Sequence, residues 1–80
     1  MPDQTMTLDS VRADLAEVLY LEPADIAVDD ELVDTGLDSV RIMSLVERWR
    51  AAGVEVTFVE LAERPSLAAW WELLSTRLPR

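Results

Sequence analysis

An all-α fold, a four-helix bundle of three long helices and one short one, is the class this sequence predicts. Two observations carry the prediction. Apolar residues recur at helical spacing in four separate segments, and nowhere does alternation run long enough to build a sheet. Hydroxyl residues ahead of the apolar runs and prolines behind them mark the starts and stops. The 80 residues make one domain, 1–80, with its core over about 8–78. Folding a chain of this size buries roughly 60% of its unfolded surface. That supports a stable core but hardly a deep catalytic cavity as well.

In the first helix Thr7 is the N-cap and Leu8, Val11, Leu15, Val18 and Leu19 form the apolar stripe, with Pro23 as the stop. Residues 22–38 are an Asp-rich connection with Ile26, Val28, Leu32 and Leu37 as apolar anchors. A connection of that length in a small domain is functional or carries a helical turn. The second helix starts at Ser39 and stops near Gly53. Ile42, Leu45, Val46 and Trp49 follow the i, i+3, i+4, i+7 rule and face the core. Val40 and Met43 then fall opposite that stripe and face outward beside Ser39. The third helix is short: Thr57-Phe58-Val59-Glu60 reads as a capping box and Pro65 closes the segment. Ser66 caps the fourth, where Leu67, Trp70, Trp71, Leu74 and Leu78 line one broad side. The tryptophans belong to the core, with Trp70 or Trp71 covering the bundle end.

Composition narrows the function. The net charge is −9, with 16 acids against 7 bases and no His or Cys. Residues 1–38 hold 11 of the acids against Arg12 alone, and no basic residue lies between Arg12 and Arg41. Nucleic acid would be repelled. The acidic stretch either serves solubility or steers basic partner proteins toward its end at Ser39. Without cysteine there is no disulfide, and a cytoplasmic chain is the simplest reading. No apolar segment reaches membrane-spanning length. Carboxylates in the connection complete no calcium-loop pattern, so no metal site is expected.

The segment Asp34-Thr35-Gly36-Leu37-Asp38-Ser39-Val40 puts a hydroxyl at a helix N-terminus. Taken alone, Ser39 is an N-cap. A nucleophilic serine needs a base and an oxyanion hole, and with no His only carboxylates remain. The segment also lacks the second glycine of a nucleophile elbow. A modification site fits better, because a phosphodiester on Ser39 would lie at the positive end of the helix dipole. Gly36 permits a tight turn and an open approach. Asp38 either helps hold metal or basic groups of a modifying enzyme or is a plain turn residue.

Gly36-Leu37-Asp38-Ser39 in a small acidic helical chain resembles the attachment motif of the acyl carrier protein type. Asp38-Ser39-Val40-Arg41, Trp49-Arg50, the Phe58 to Ala62 segment and Trp70-Trp71-Glu72-Leu73-Leu74 resemble aryl carrier proteins. Those form the C-terminal domains of isochorismatase-type proteins, or stand alone, in siderophore and peptide-antibiotic assembly. The resemblance implies covalent 4′-phosphopantetheine on Ser39, whose thiol holds an aromatic acid as a thioester. It implies as partners a phosphopantetheinyl transferase, an aryl-acid adenylating enzyme and a downstream condensation domain or acyltransferase. It also implies a monomer with no catalytic group of its own. The partner surface expected from this geometry is Val40 and Met43 with Phe58 and Ala62, unless Phe58 is simply core. Arg41 either serves as a solvated salt-bridging residue or, standing close to Ser39, touches the phosphate or an acidic partner. Arg41, Arg48 and Arg50, with Glu47 as the sole acid of the second helix, depart from the fatty-acid type. A peptidyl or acyl carrier of an amino acid, fatty acid or polyketide unit is the alternative. An unmodified acidic helical adaptor, with Ser39 only a cap, is the alternative of another class.

Overall fold

The computed structural model describes residues 6–78. Its elements are α1 (Leu8–Leu19), two 3-10 turns (Pro23–Asp25 and Leu32–Thr35), α2 (Ser39–Ala51), α3 (Phe58–Ala62) and α4 (Leu67–Leu74). Among the described residues there is no strand, and the fold is the expected all-α bundle.

Helix α1 begins at Thr7, whose hydroxyl accepts the Ser10 amide at 3.0 Å while Ser10 Oγ accepts the Thr7 amide at 2.9 Å. These reciprocal bonds satisfy two of the amides a helix start leaves unpaired. The helix ends at Leu19, four residues before Pro23. Tyr20 takes a left-handed conformation, φ 60°, and the Leu21 amide donates back to the Ala16 carbonyl at 2.9 Å. Pro23 therefore opens the first 3-10 turn rather than ending α1, a position suited to its fixed φ and missing N–H.

The acidic connection is pinned at both ends of its span. Ile26 and Leu32 are buried, the Leu32 amide donates to the Pro65 carbonyl and the Ala68 amide to the Val28 carbonyl, both at 2.8 Å. Two acids close local turns: Asp25 accepts the Glu22 amide and Asp30 the Ala27 amide. The expected helical turn in this long loop is thus present twice.

Helix α2 packs against α1 and α3, burying Ile42, Leu45 and Trp49. Arg48 bridges Glu17 at 2.8 Å and Asp14 at 3.2 Å on α1. The Glu17 hydrogen bond is the main reason its guanidinium is held above the usual range, with Asp14 adding to it. Asp14 also accepts the Trp49 indole N–H at 2.9 Å. Trp49 stands edge-on to Trp70, ring centres 6.0 Å apart, an arrangement aromatic pairs favour. Trp70 is fully buried and its N–H reaches the carbonyls of Leu61 and Arg64, tying α4 to the end of α3. Trp71 is half-buried beside the core.

Helix α4 is shorter than its apolar stripe suggests. It ends at Leu74, where the hydroxyls of Ser75 and Thr76 donate to the Glu72 and Leu73 carbonyls and offer the backbone an alternative to helix. Leu78 packs half-buried on the core from beyond the helix.

Candidate functional site

Four consecutive positions build the site. The second 3-10 turn ends at Gly36, φ 102°, a left-handed conformation that glycine adopts without steric cost. A Cβ placed there would meet nothing within 4 Å, so backbone conformation rather than crowding selects glycine. Leu37 is half-buried against the core and anchors the chain. Asp38 is extended, and its Oδ1 accepts the Arg41 amide at 3.0 Å.

This corrects the expectation for Ser39. Asp38 is the N-cap and Ser39 is the first residue of α2. Aspartate caps as well as serine, so the motif offers two adjacent candidates, and the extended backbone at Asp38 decides between them. Ser39 is exposed on the first turn of a 13-residue helix. Asp38, expected to be a turn residue or a holder of metal or basic groups, binds an arginine of its own chain.

That arginine is Arg41. Its Nη1 donates to Asp38 Oδ2 at 2.7 Å and its Nε to the Val18 carbonyl at 3.0 Å. The side chain thus joins the start of α2 to the end of α1. Sequence spacing predicts the Asp38 contact, since i and i+3 are neighbours on a helix. No local signal predicts the reach to Val18.

The apolar residues named with the serine differ in exposure, and three others are exposed as well. Val40 is 75% exposed and Met43 51%. On α3, Ala62 is exposed and Phe58 is half-buried against the core, while Val59 is the large apolar residue facing solvent, 58% exposed. Val59 lies inside the Thr57–Glu60 capping segment, and its outward direction follows from the register of a helix only five residues long. Tyr20 and Val33 add exposed apolar surface on the segments flanking the start of α2. Among the described residues no group of three or more side chains is placed to hold a metal ion.

The sequence matches the family described as "Phosphopantetheine attachment site" over residues 9–74. It is 56% identical over 71 residues to isochorismatase of Bacillus subtilis (strain 168), covering 89% of this chain and 23% of that protein. It is 51% identical over 72 residues to acyl carrier protein ScoB of Streptomyces coeruleorubidus, covering 90% of this chain and 85% of ScoB. With enterobactin synthase component B of Escherichia coli (strain K12) it shares 54% identity over 54 residues, 68% of this chain and 18% of that protein. The chain thus spans under a quarter of the two enzymes but most of ScoB. The family match runs from α1 through α4 and includes the Gly36–Ser39 segment, and the group this family carries covalently is 4′-phosphopantetheine. The chain belongs to the phosphopantetheine-attachment family and is a carrier domain.

Proposed function

We propose that Ser39 is the attachment point and that the chain is an aryl carrier, presenting an aromatic acid to partner enzymes in nonribosomal peptide or siderophore assembly. The observation that carries the reading is the exposed Ser39 on the first turn of α2, with its neighbour Asp38 supplying the cap. The serine is thereby relieved of a structural task that would otherwise occupy its hydroxyl.

The residues fit a phosphodiester. An exposed hydroxyl at the N-terminal end of a long helix suits an anion, because unpaired amides and the helix dipole favour negative charge there. When bound, the group supplies the thiol that a chain without cysteine lacks, and an acyl thioester forms on it. Gly36 sets the direction of the chain into the helix, Asp38 fixes the helix start and Arg41 ties that start to α1. The chain itself contributes no catalytic group in this reading, since no histidine is present to activate a serine.

The aryl cargo is supported by the kinship with isochorismatase and enterobactin synthase component B. The arginines of α2 support it too, since Glu47 is that helix's sole acid. The partners are then a phosphopantetheinyl transferase, an aryl-acid adenylating enzyme and a condensation domain. Val40, Met43, Val59 and Ala62, with the exposed part of Phe58, form their shared docking surface. Identity with acyl carrier protein ScoB favours a second reading, a carrier of another acyl unit.

Loading separates the two. Once modified with coenzyme A, the protein is offered salicylate, 2,3-dihydroxybenzoate, amino acids and fatty acids with the matching adenylating enzymes, and acylation is read by mass. Acylation by the ring acids is the expected result, and acylation by aliphatic or amino acids alone overturns the aryl reading. Met43→Ala should leave modification of Ser39 intact and lower acyl transfer by about 5- to 30-fold, the range of one or two kcal/mol at an interface anchor.

A further inference from the structure

We propose that the groove between the end of α1 and the start of α2 is a resting site for the aromatic group carried on Ser39. The groove holds about 300 Å³ and is lined by Val18, Tyr20, Val40, Arg41 and Ser44. The inference rests on the reading of Ser39 as the attachment point of an aryl cargo.

Three observations point to that occupant. First, the groove is continuous with the serine: Val40 and Arg41 follow Ser39 directly, and Ser44 lies only about 7–8 Å farther along the axis at 1.5 Å per residue. A group on a flexible arm anchored beside the groove has an effective concentration in the millimolar range, which raises the occupancy of a shallow site. Second, Tyr20 is 86% exposed on a backbone at φ 60°, where glycine would be unstrained. The chain keeps a large aromatic residue at a position whose backbone disfavours it, and Tyr20 is one of the residues that line the groove. Third, the Arg41 guanidinium is held in place by Asp38 and the Val18 carbonyl. An immobilised guanidinium on the wall of a groove that Tyr20 also lines suits a flat π-system, through cation–π attraction and stacking. The Ser44 hydroxyl offers a hydrogen bond to a ring hydroxyl or carbonyl. An aliphatic chain uses none of these groups except the two valines.

The test uses the 80-residue protein modified directly from coenzyme A, from an amide-linked salicyl-coenzyme A analogue or from its octanoyl counterpart. This bypasses the adenylating enzyme. Mass gain at Ser39 from coenzyme A checks the attachment reading first, and its absence removes both proposals. Two-dimensional NMR then compares the three forms. The expected result is salicyl-specific shift changes at Val18, Tyr20, Ser44 and the Arg41 Nε–H. Tyr20→Gly should melt no lower than wild type, because it relieves the left-handed backbone, and should lose those shifts. Changes confined to residues 38–40, equal changes with octanoyl, or shifts that persist in Tyr20→Gly would overturn the resting site. Such a result would leave the attachment reading standing.

Discussion

Asp38 and Asp14 each accept two hydrogen bonds that order their surroundings. Asp38 caps α2 and holds Arg41, so Asp38→Ala should cost about 1 kcal/mol for the cap alone and loosen the junction that presents Ser39. Asp38→Asn, which keeps an acceptor, should recover most of that loss in a thermal melt. Equal losses in the two variants would assign the stability to charge rather than to capping. Asp14 is the acceptor for the buried Trp49 indole. Asp14→Ala leaves that N–H unpaired at a cost of about 1–3 kcal/mol, measurable by urea unfolding, whereas Asp14→Asn can still accept it.

At the scale of elements, α3 is held at both its own start and the far end of the chain by Glu60. It has five residues, too few to be stable alone. Glu60 accepts the Thr57 amide at 3.1 Å and pairs with Arg77 beyond α4 at 2.8 Å. The Arg77 hydrogen bond, then the Thr57 amide, hold its carboxyl below the usual carboxylate range. A carboxyl whose pKa is lowered by folding stabilises the native state above its unfolded value, near 4.3, and loses that contribution as pH falls below it. Wild type should therefore melt above Glu60→Gln at pH 7, and the gap should close as pH is lowered through and below 4. A gap that stays constant with pH would contradict this role.

The helices themselves were legible in the sequence because caps and apolar spacing are local. Thr7, Thr57 and Ser66 each cap the helix that follows, as read from their positions. Trp49 and Trp70 were legible as core, but their N–H partners were not: Asp14 lies 35 residues from Trp49, and nothing in its neighbourhood marks it as an acceptor. The same holds for Arg41 and the Val18 carbonyl, 23 residues apart. At the candidate site the motif and the outward Val40 and Met43 followed from periodicity. The cap residue differed by one position because Asp and Ser compete equally for it. Tyr20 was missed because a left-handed residue after a helix is usually announced by glycine or asparagine, and here it is a tyrosine.

Across the whole molecule, charge and core divide the labour. The core is continuous over the four helices and takes Ile26 and Leu32 from the acidic connection, with Trp49 and Trp70 as its largest members. Trp70→Ala should cost about 3–5 kcal/mol and unfold the bundle as one unit rather than detach α4. The acidic connection, by contrast, is largely exposed and leads to the start of α2. If it steers a basic transferase to Ser39, kcat/KM for modification should fall about tenfold or more as ionic strength rises from 0.01 to 0.15 M, as the Debye length shrinks from about 30 to 8 Å. Asp29→Asn with Asp34→Asn should flatten that dependence without lowering the melting temperature. The claim on which all of this rests is the attachment at Ser39. Incubation with coenzyme A and a broad-range phosphopantetheinyl transferase, followed by fragment mass spectrometry, tests it directly. One added phosphopantetheinyl group, localised to Ser39 and lost in a folded Ser39→Ala variant, is the expected result. No added mass on wild type, or a group that survives in Ser39→Ala, would contradict it.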